Sequence, residues 1–152
     1  MKQKTIIQIW GIQGSGKSGT IKILREELIA RYVNPAHTYT LPLPNGEISD
    51  VLICAGLTVG IESMGDYLWA YGLHDRLNDY FIKYNCDIII CASRVRNDVT
   101  QHIEHMASTH CFRIIKATNY RGDEPPFVQD ELNKASAIHL LDLVNQIITG
   151  TI

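Results

Sequence analysis

Residues 11–18, with the sequence GIQGSGKS, follow the spacing G-x-x-x-x-G-K-S. An apolar, strand-like run at 6–10 precedes this segment, and the apolar spacing of a helix follows it. A segment in this context can point its backbone N–H groups inward, and the first turn of the helix adds partial positive charge. Lys17 would then reach the β- and γ-phosphates of a nucleoside triphosphate, and the Ser18 hydroxyl would ligate Mg²⁺. The pattern predicts a phosphate-binding loop.

The glycines of this segment serve the same chemistry. Side chains would keep phosphate oxygens away from the backbone, and some positions need a positive φ. The residues expected to surround the phosphates are Gly11, Gln13, Gly14, Ser15, Gly16, Lys17, Ser18 and Gly19. An ordinary glycine-rich connection between a strand and a helix is the alternative, and the combination of Lys17 and Ser18 with both flanking elements argues against it.

The segment resembles the Walker A motif of P-loop NTPases, and its form GxxGxGKS is similar to the loop of nucleotide and small-molecule kinases. The resemblance extends over the whole chain as an alternation of strands and helices, although only this motif is specific. It implies bound ATP with Mg²⁺ and a three-layer α/β/α P-loop NTPase fold. Gly19 departs from the family pattern, because many members have a second hydroxyl residue there. We therefore expect the α-phosphate to keep only a backbone contact.

The elements that must position this loop follow from the hydrophobic periodicity. Buried strands are predicted at 6–10 and 87–93 and a further strand at 111–118. Helices are predicted at 18–32, at 66–84, from an N-cap at Asn97, and from Pro126 to Gly150. Short strands joined by turns between residues 37 and 62 predict an antiparallel excursion, with reversals at Asn45-Gly46 and Ala55-Gly56. Strands that alternate with helices indicate an α/β fold with a mostly parallel sheet, in one domain over residues 1–152.

A phosphate loop of this kind works with an acid at the carboxyl end of a neighbouring strand, which holds Mg²⁺ directly or through water. Glu62 closes the strand-like run 57–62 at that end, and Asp66 follows in the next loop. We therefore favour Glu62 as the metal-holding acid and place Asp66 second, while solvated loop carboxylates are the alternative. Asp87 opens its strand at the opposite end and is expected to be structural, because ligands of open α/β sheets bind at the carboxyl ends.

Residues 62–65, ESMG, also resemble the DxxG element of GTPases, with glutamate in place of aspartate. The guanine-reading NKxD motif does not follow the last predicted strand, where Asn119 and Tyr120 would instead border a base. This difference favours ATP over GTP as the bound nucleotide.

Arg94 and Arg96 follow the strand-like run 87–93 at its carboxyl end. The planar guanidinium suits the negative charge that develops in phosphoryl transfer, and SRVRND resembles a small version of the lid of small kinases. Two solvated arginines at the start of a helix are the alternative. Cations near a helix N-terminus oppose the helix dipole, which favours a functional role.

Three aromatic residues, Tyr67, Trp69 and Tyr71, follow the expected position of the γ-phosphate. They would stack on a flat acceptor, or they are core or interface aromatics. No acceptor class follows from the sequence.

Composition excludes several classes of function. The 152 residues carry 14 basic and 16 acidic side chains, a formal net charge of −2, which gives no electrostatic case for binding nucleic acid or a membrane. The apolar runs are too short to span a bilayer. The four cysteines, Cys54, Cys86, Cys91 and Cys111, form no CxxC pair, so we expect reduced thiols in a cytoplasmic protein. All but Cys86 lie in or beside strand-like runs and are expected to act as small apolar fillers.

These features favour a small Mg²⁺-dependent kinase that phosphorylates a nucleotide or another small molecule with ATP. An ATP or GTP hydrolase that acts as a regulatory switch is one alternative, supported by the ESMG segment. A non-catalytic nucleotide-binding module is the other. The expected partners are a nucleoside triphosphate and an unidentified small-molecule acceptor or protein.

Overall fold

The computed structural model describes residues 3–11, 14–32, 39–43, 46–123 and 126–152. These ranges contain six strands: β1 (Thr5–Trp10), β2 (Tyr39–Pro42), β3 (Ile48–Cys54), β4 (Leu57–Glu62), β5 (Ile88–Ser93) and β6 (Arg113–Ala117). They also contain four helices: α1 (Lys17–Tyr32), α2 (Leu73–Phe81), α3 (Asp98–His110) and α4 (Pro126–Thr149). Within the same ranges, no helix combines the length and the apolar character that crossing a bilayer requires.

The strands form one sheet in the order β2-β3-β4-β5-β1-β6. The pairings among β4, β5, β1 and β6 are parallel, while β2 and β3 add an antiparallel edge. The predictions of an α/β fold, a mostly parallel sheet and an antiparallel excursion near residues 37–62 are confirmed. Of the two predicted reversals, Ala55-Gly56 turns with φ values of 50° and 82°. Asn45 of the other reversal lies outside the described residues.

Side chains that alternate along the strands form two apolar cores, one on each face of the sheet. On one face Ile7 and Ile9 pack with residues of α1 and α4. On the other face Ile6 packs with residues of α2 and α3. Gly60 of β4 faces this second core, and a Cβ atom on it would lie 2.7 Å from a ring carbon of Tyr80. Helix α1, which follows the predicted phosphate-binding loop, therefore packs on the face opposite to α2 and α3.

The helix predicted at 66–84 is shorter than expected, because α2 begins only at Leu73. Tyr71 and Gly72 have φ values of 53° and 72°, and this left-handed pair interrupts a right-handed helix. Residues 63–72 therefore form a loop between β4 and α2.

Two other sequence expectations about polar residues are confirmed. The Asn97 side chain accepts a hydrogen bond from Thr100 N at 3.0 Å and caps α3. Asp87 has the expected structural role, since its carboxylate accepts a hydrogen bond from Thr58 N at 2.9 Å. The hydrogen bond from Thr58 to Asp87 ties the start of β4 to the segment before β5.

The cysteines are free thiols, and three of them, Cys54, Cys86 and Cys91, are buried. Burial raises the pKa of Cys91 to about 12, which keeps that thiol protonated at neutral pH. Cys111 is exposed and ends α3 with a φ of 59°. The prediction that Cys111 fills a strand-like core position is wrong, because the chain reverses there between α3 and β6.

Candidate functional site

The predicted phosphate-binding loop, residues 11–19 and called the phosphate loop below, joins β1 to α1 at the carboxyl end of a strand that lies between β5 and β6. Gly14 and Gly16 have φ values of 76° and 93°, which favour glycine over other residues. Gly11 N donates to Ser93 O at 3.2 Å and ties the start of the loop to the end of β5. Gln13 lies outside the described residues. The strand–loop–helix context that the motif requires is present.

A cavity of about 540 Å³ borders this loop. The phosphate loop contributes Gly14, Ser15, Gly16, Lys17, Ser18 and Gly19 to its lining. The segments before β3 and after β4 contribute Glu47, Ser63, Met64, Gly65, Asp66, Tyr67 and Tyr71. The cavity thus brings the predicted phosphate loop together with Asp66 and with two of the three predicted aromatic residues.

Lys17 is a buried cation in the cavity lining. Its ammonium group donates to the carbonyl oxygen of Gly11 at 2.8 Å. Burial lowers the pKa of Lys17, Asp66 opposes this shift, and Arg94 adds to it. The Ser15 hydroxyl oxygen is also buried, and it has no hydrogen-bond partner in the part of the chain that the structure describes. A desolvated cation beside an unpaired hydroxyl fits a site for an anion.

Three amide side chains, those of Asn119, Gln129 and Asn133, occupy the space beside the inner glycines of the loop. A Cβ atom on Gly16 would lie 2.5 Å from Asn133 Oδ1 and 2.8 Å from Asn119 Nδ2. A Cβ atom on Gly19 would lie 2.5 Å from Asn133 Nδ2. Asn119 also donates to the carbonyl oxygen of Ser15. Gly19 therefore has a packing role that its sequence context did not indicate, because its lack of a side chain leaves room for Asn133 of α4.

Gly19→Thr, which introduces the hydroxyl residue that many P-loop NTPases have at the corresponding position, is expected to destabilise the chain by about 1–3 kcal/mol, because the new side chain overlaps Asn133. Thermal unfolding of this variant, of Asn133→Ala and of the double variant tests the contact. The Gly19 substitution should cost less once Asn133 is truncated. Strict additivity of the two losses would show that the two residues are not in contact.

Glu62 does not face the phosphate loop, contrary to the prediction that it holds Mg²⁺ beside Ser18. Its carboxylate is fully buried and accepts hydrogen bonds from Arg76 Nη2 at 2.8 Å and from Arg76 Nε at 3.1 Å. The hydroxyl of Tyr80 donates to the same carboxylate at 2.7 Å. The strand ends at the expected edge of the sheet, but its pleat directs Glu62 toward the core of α2 and α3, since Ile61 occupies the other face.

The carboxylate beside Ser18 belongs to Glu47, which no sequence pattern singled out. Ser18 Oγ lies 3.0 and 3.1 Å from the two carboxylate oxygens of Glu47, and 3.2 Å from the carbonyl oxygen of Ser63. The Ser63 hydroxyl bonds the same carboxylate and accepts a hydrogen bond from Ile48 N at 2.8 Å. Hydroxyl and carboxylate oxygens are ligands that Mg²⁺ prefers. Glu47 reaches this place only because the antiparallel excursion returns to the sheet beside α1.

Asp66 and Arg94 form an ion pair beside the cavity, with 3.1 Å between Oδ1 and Nε. The hydrogen bond to Asp66 raises the pKa of Arg94, whose guanidinium also lies 5.2 Å from the centre of the Tyr67 ring. The Asn97 amide donates to the carbonyl oxygens of Gly65 and Asp66 at 3.3 and 3.1 Å. These contacts link the segment after β5 to the loop between β4 and α2.

Arg96 and the aromatic residues of the loop differ in their relation to the cavity. Arg96 is exposed and is not among the described residues that line the cavity. The exposed fractions of Tyr67, Trp69 and Tyr71 are 57%, 73% and 59%, so the core alternative for these residues is wrong. Tyr67 and Tyr71 line the cavity, while Trp69 stacks on His74 with 4.3 Å between ring centres.

Asn119 and Tyr120 follow β6, on the other side of the phosphate loop. Besides its bond to Ser15, the Asn119 amide donates to the carbonyl oxygen of Tyr120 at 3.1 Å. The Tyr120 hydroxyl lies 2.6 Å from His139 Nδ1. Asn119 thus supports the loop from outside the cavity, and a contact of either residue with a base stays a prediction.

Comparison of this chain with models of protein families, with curated proteins and with solved structures found no match. Within the described residues, no three His, Cys, Asp or Glu side chains are grouped so that they could hold a metal ion. Nucleotide-bound Mg²⁺ needs fewer protein ligands, because it keeps several waters and takes oxygens from the phosphates. The case for a ligand therefore depends on the geometry of the cavity.

Proposed function

We propose that this chain is a small Mg²⁺-dependent kinase with the three-layer α/β/α P-loop NTPase fold, which transfers the γ-phosphoryl group of ATP to a nucleotide or another small molecule. One observation carries the proposal. The cavity that contains the phosphate loop also contains a carboxylate paired with an arginine and two exposed aromatic rings. A phosphate site alone needs none of these additional groups.

The proposed roles follow from the positions of the side chains. Lys17 would contact the phosphoryl group in transfer, and Ser18 with Glu47 would hold Mg²⁺, which neutralises phosphate charge when it is bound. Arg94 would leave Asp66 to contact phosphoryl oxygens. The freed carboxylate of Asp66 would then accept the proton of the acceptor hydroxyl. Arg96 has no place in this arrangement.

The acceptor would enter beside the loop between β4 and α2. Tyr67 and Tyr71 are exposed and line the cavity, so they can stack on a flat ring while its hydroxyl group reaches Asp66. This arrangement supports an acceptor that has both a planar ring and a hydroxyl group, a class that includes nucleosides and nucleotides.

A nucleotide-dependent switch is the second candidate, and the contacts of Ser18 favour it. The Ser18 hydroxyl bonds both Glu47, before β3, and the carbonyl oxygen of Ser63, after β4. A metal ion on Ser18 would break or rearrange both bonds. Nucleotide binding would therefore change two surface segments at once, which is how a hydrolase signals its state to a partner.

Release of ADP from Mg·ATP, measured with and without a pool of nucleosides, nucleotides and other small hydroxyl compounds, tests the kinase. If the chain is a kinase, ADP release should depend on the pool, and mass spectrometry should detect a phosphorylated product. Asp66→Asn should abolish the acceptor-dependent part and keep binding of Mg·ATP. Release of inorganic phosphate at a rate that no pool component changes would favour the hydrolase and contradict the kinase.

A further inference from the structure

The loop between β4 and α2 supplies the wall of the cavity where the proposed acceptor would bind, and one buried cation contacts two parts of this wall. Arg76, in the first turn of α2, is 8% exposed. Its Nη1 donates to the carbonyl oxygen of Tyr71, and its Nη2 lies 3.4 Å from the sulfur atom of Met64. Met64 and Tyr71 both line the cavity, so one guanidinium contacts two parts of the same wall.

The guanidinium is itself fixed by a buried carboxylate. Glu62 binds Arg76 through both carboxylate oxygens, at 2.8 and 3.1 Å, in the two-pronged geometry that orients a planar guanidinium. The Tyr80 hydroxyl donates to Glu62 at 2.7 Å and also lies 3.1 Å from the carbonyl oxygen of Ile61. A buried carboxylate requires such partners, because an uncompensated buried charge is strongly destabilising. The orientation of Arg76 is therefore set from inside the core.

The backbone of this loop needs an external hold. Tyr71 has a φ of 53°, a left-handed conformation that is disfavoured for a residue other than glycine. Such a conformation persists only where surrounding contacts impose it. The hydrogen bond from Arg76 to the carbonyl oxygen of Tyr71 is a contact of this kind, made at the point where the chain turns into α2.

We propose that Arg76 is a positioning residue that fixes the acceptor wall of the cavity, Met64 with Tyr71, and that Glu62 and Tyr80 are its buried support. The proposal rests on the proposed kinase function, because it assigns this wall to the acceptor. Among the described residues, the phosphate loop makes none of these contacts. Loss of the guanidinium should therefore loosen the wall and leave the binding of Mg·ATP intact.

The test compares Arg76→Met and Arg76→Lys with Val144→Ala, a core substitution on the opposite face of the sheet. Amide hydrogen exchange of residues 63–74 reports on the wall, through amides such as Ala70 N and His74 N that bond within it. In Arg76→Met we expect exchange in this segment to be faster by about tenfold under conditions where the protein stays folded. Val144→Ala should lower the melting temperature without this local change.

Arg76→Lys separates positioning from stability. A lysine can still neutralise Glu62, but its single ammonium group cannot also span Tyr71 and Met64. We expect it to recover most of the melting temperature lost in Arg76→Met while the loop still exchanges fast. If Arg76→Lys recovers both the melting temperature and the slow exchange of the loop, Arg76 is only structural. Equal loop exchange in Arg76→Met and Val144→Ala would lead to the same conclusion. If Arg76→Met fails to fold, Arg76→Lys and Tyr80→Phe decide the outcome by the same exchange measurement.

Binding of Mg·ATP, measured by calorimetry in the same variants, keeps the two proposals apart. An unchanged dissociation constant together with a loosened wall is the expected result. In a turnover assay this should appear as a lower kcat for acceptor phosphorylation at an unchanged KM for ATP. Loss of ATP affinity in Arg76→Lys would contradict the separation between wall and phosphate loop. A wild-type chain that binds no nucleotide would overturn the kinase function, while the exchange result would still decide whether Arg76 holds the loop.

Discussion

Lys17→Ala should lower the affinity for Mg·ATP by about 100-fold or more. Charge-assisted hydrogen bonds contribute about 1.5–3 kcal/mol each, Lys17 would make them to two phosphates, and ~1.4 kcal/mol corresponds to a factor of ten. Titration calorimetry with Mg·ATP measures the loss. Lys83→Ala, at an exposed lysine after α2, is the matched control and should bind like the wild type.

For the ligand-free protein, we expect Lys17→Ala to keep its thermal stability although it loses affinity for nucleotide. Burial lowers the pKa of Lys17, so the fold disfavours its charged form. A group whose pKa is lowered in the folded state contributes no stability through its charge near neutral pH. Removal of this charge relieves a desolvation penalty, while the hydrogen bond to the carbonyl oxygen of Gly11 is lost, so the melting temperature of Lys17→Ala without nucleotide should stay close to that of the wild type. A large drop would mean that lost folding, rather than lost phosphate contacts, explains weak binding.

Glu47→Gln should change the metal dependence of binding. In the wild type the Glu47 carboxylate lies beside Ser18, where the proposed function places the metal, with Ser18 Oγ 3.0 and 3.1 Å from its oxygens. Metal-free ATP would meet this negative charge directly, while Mg²⁺ held by Glu47 would neutralise it. In Glu47→Gln we expect affinity for Mg·ATP to fall by about tenfold and affinity for ATP in EDTA to rise, because one repulsive charge is removed.

Glu62→Gln is the informative comparison for Glu47→Gln. Glu62 pairs with Arg76 in the opposite core, so its substitution should lower stability and leave the ratio of affinities with and without Mg²⁺ at the wild-type value. Calorimetry in Mg²⁺ and in EDTA gives this ratio for both variants. A changed ratio in Glu62→Gln with an unchanged ratio in Glu47→Gln would restore Glu62 as the metal-holding acid.

Elements whose patterns are local could be predicted from the sequence. The strand at 6–10, the loop after it and the helix that ends at Tyr32 follow from consecutive residues, and the structure has them within one residue of the predicted bounds. The cap at Asn97 is local in the same sense, because its bond reaches only three residues along the chain. The prediction that a helix begins at residue 66 is wrong, because the left-handed turn at Tyr71 and Gly72 interrupts the helix despite the apolar spacing.

The sequence by itself predicted the strand–loop–helix context of the phosphate loop, because the strand, the glycines, Lys17 and Ser18 are neighbours along the chain; Ser93 and Asn119 add support from other strands. Only the tertiary structure decided which acid meets Ser18. Glu62 ends a strand at the right edge, yet the pleat turns it into the opposite core. Glu47 comes to Ser18 from 29 residues away because β3 pairs antiparallel with β4 and returns the chain beside α1. The register between strands and the choice of helices that cover each face of the sheet depend on long-range packing, and no local pattern around either glutamate specifies them.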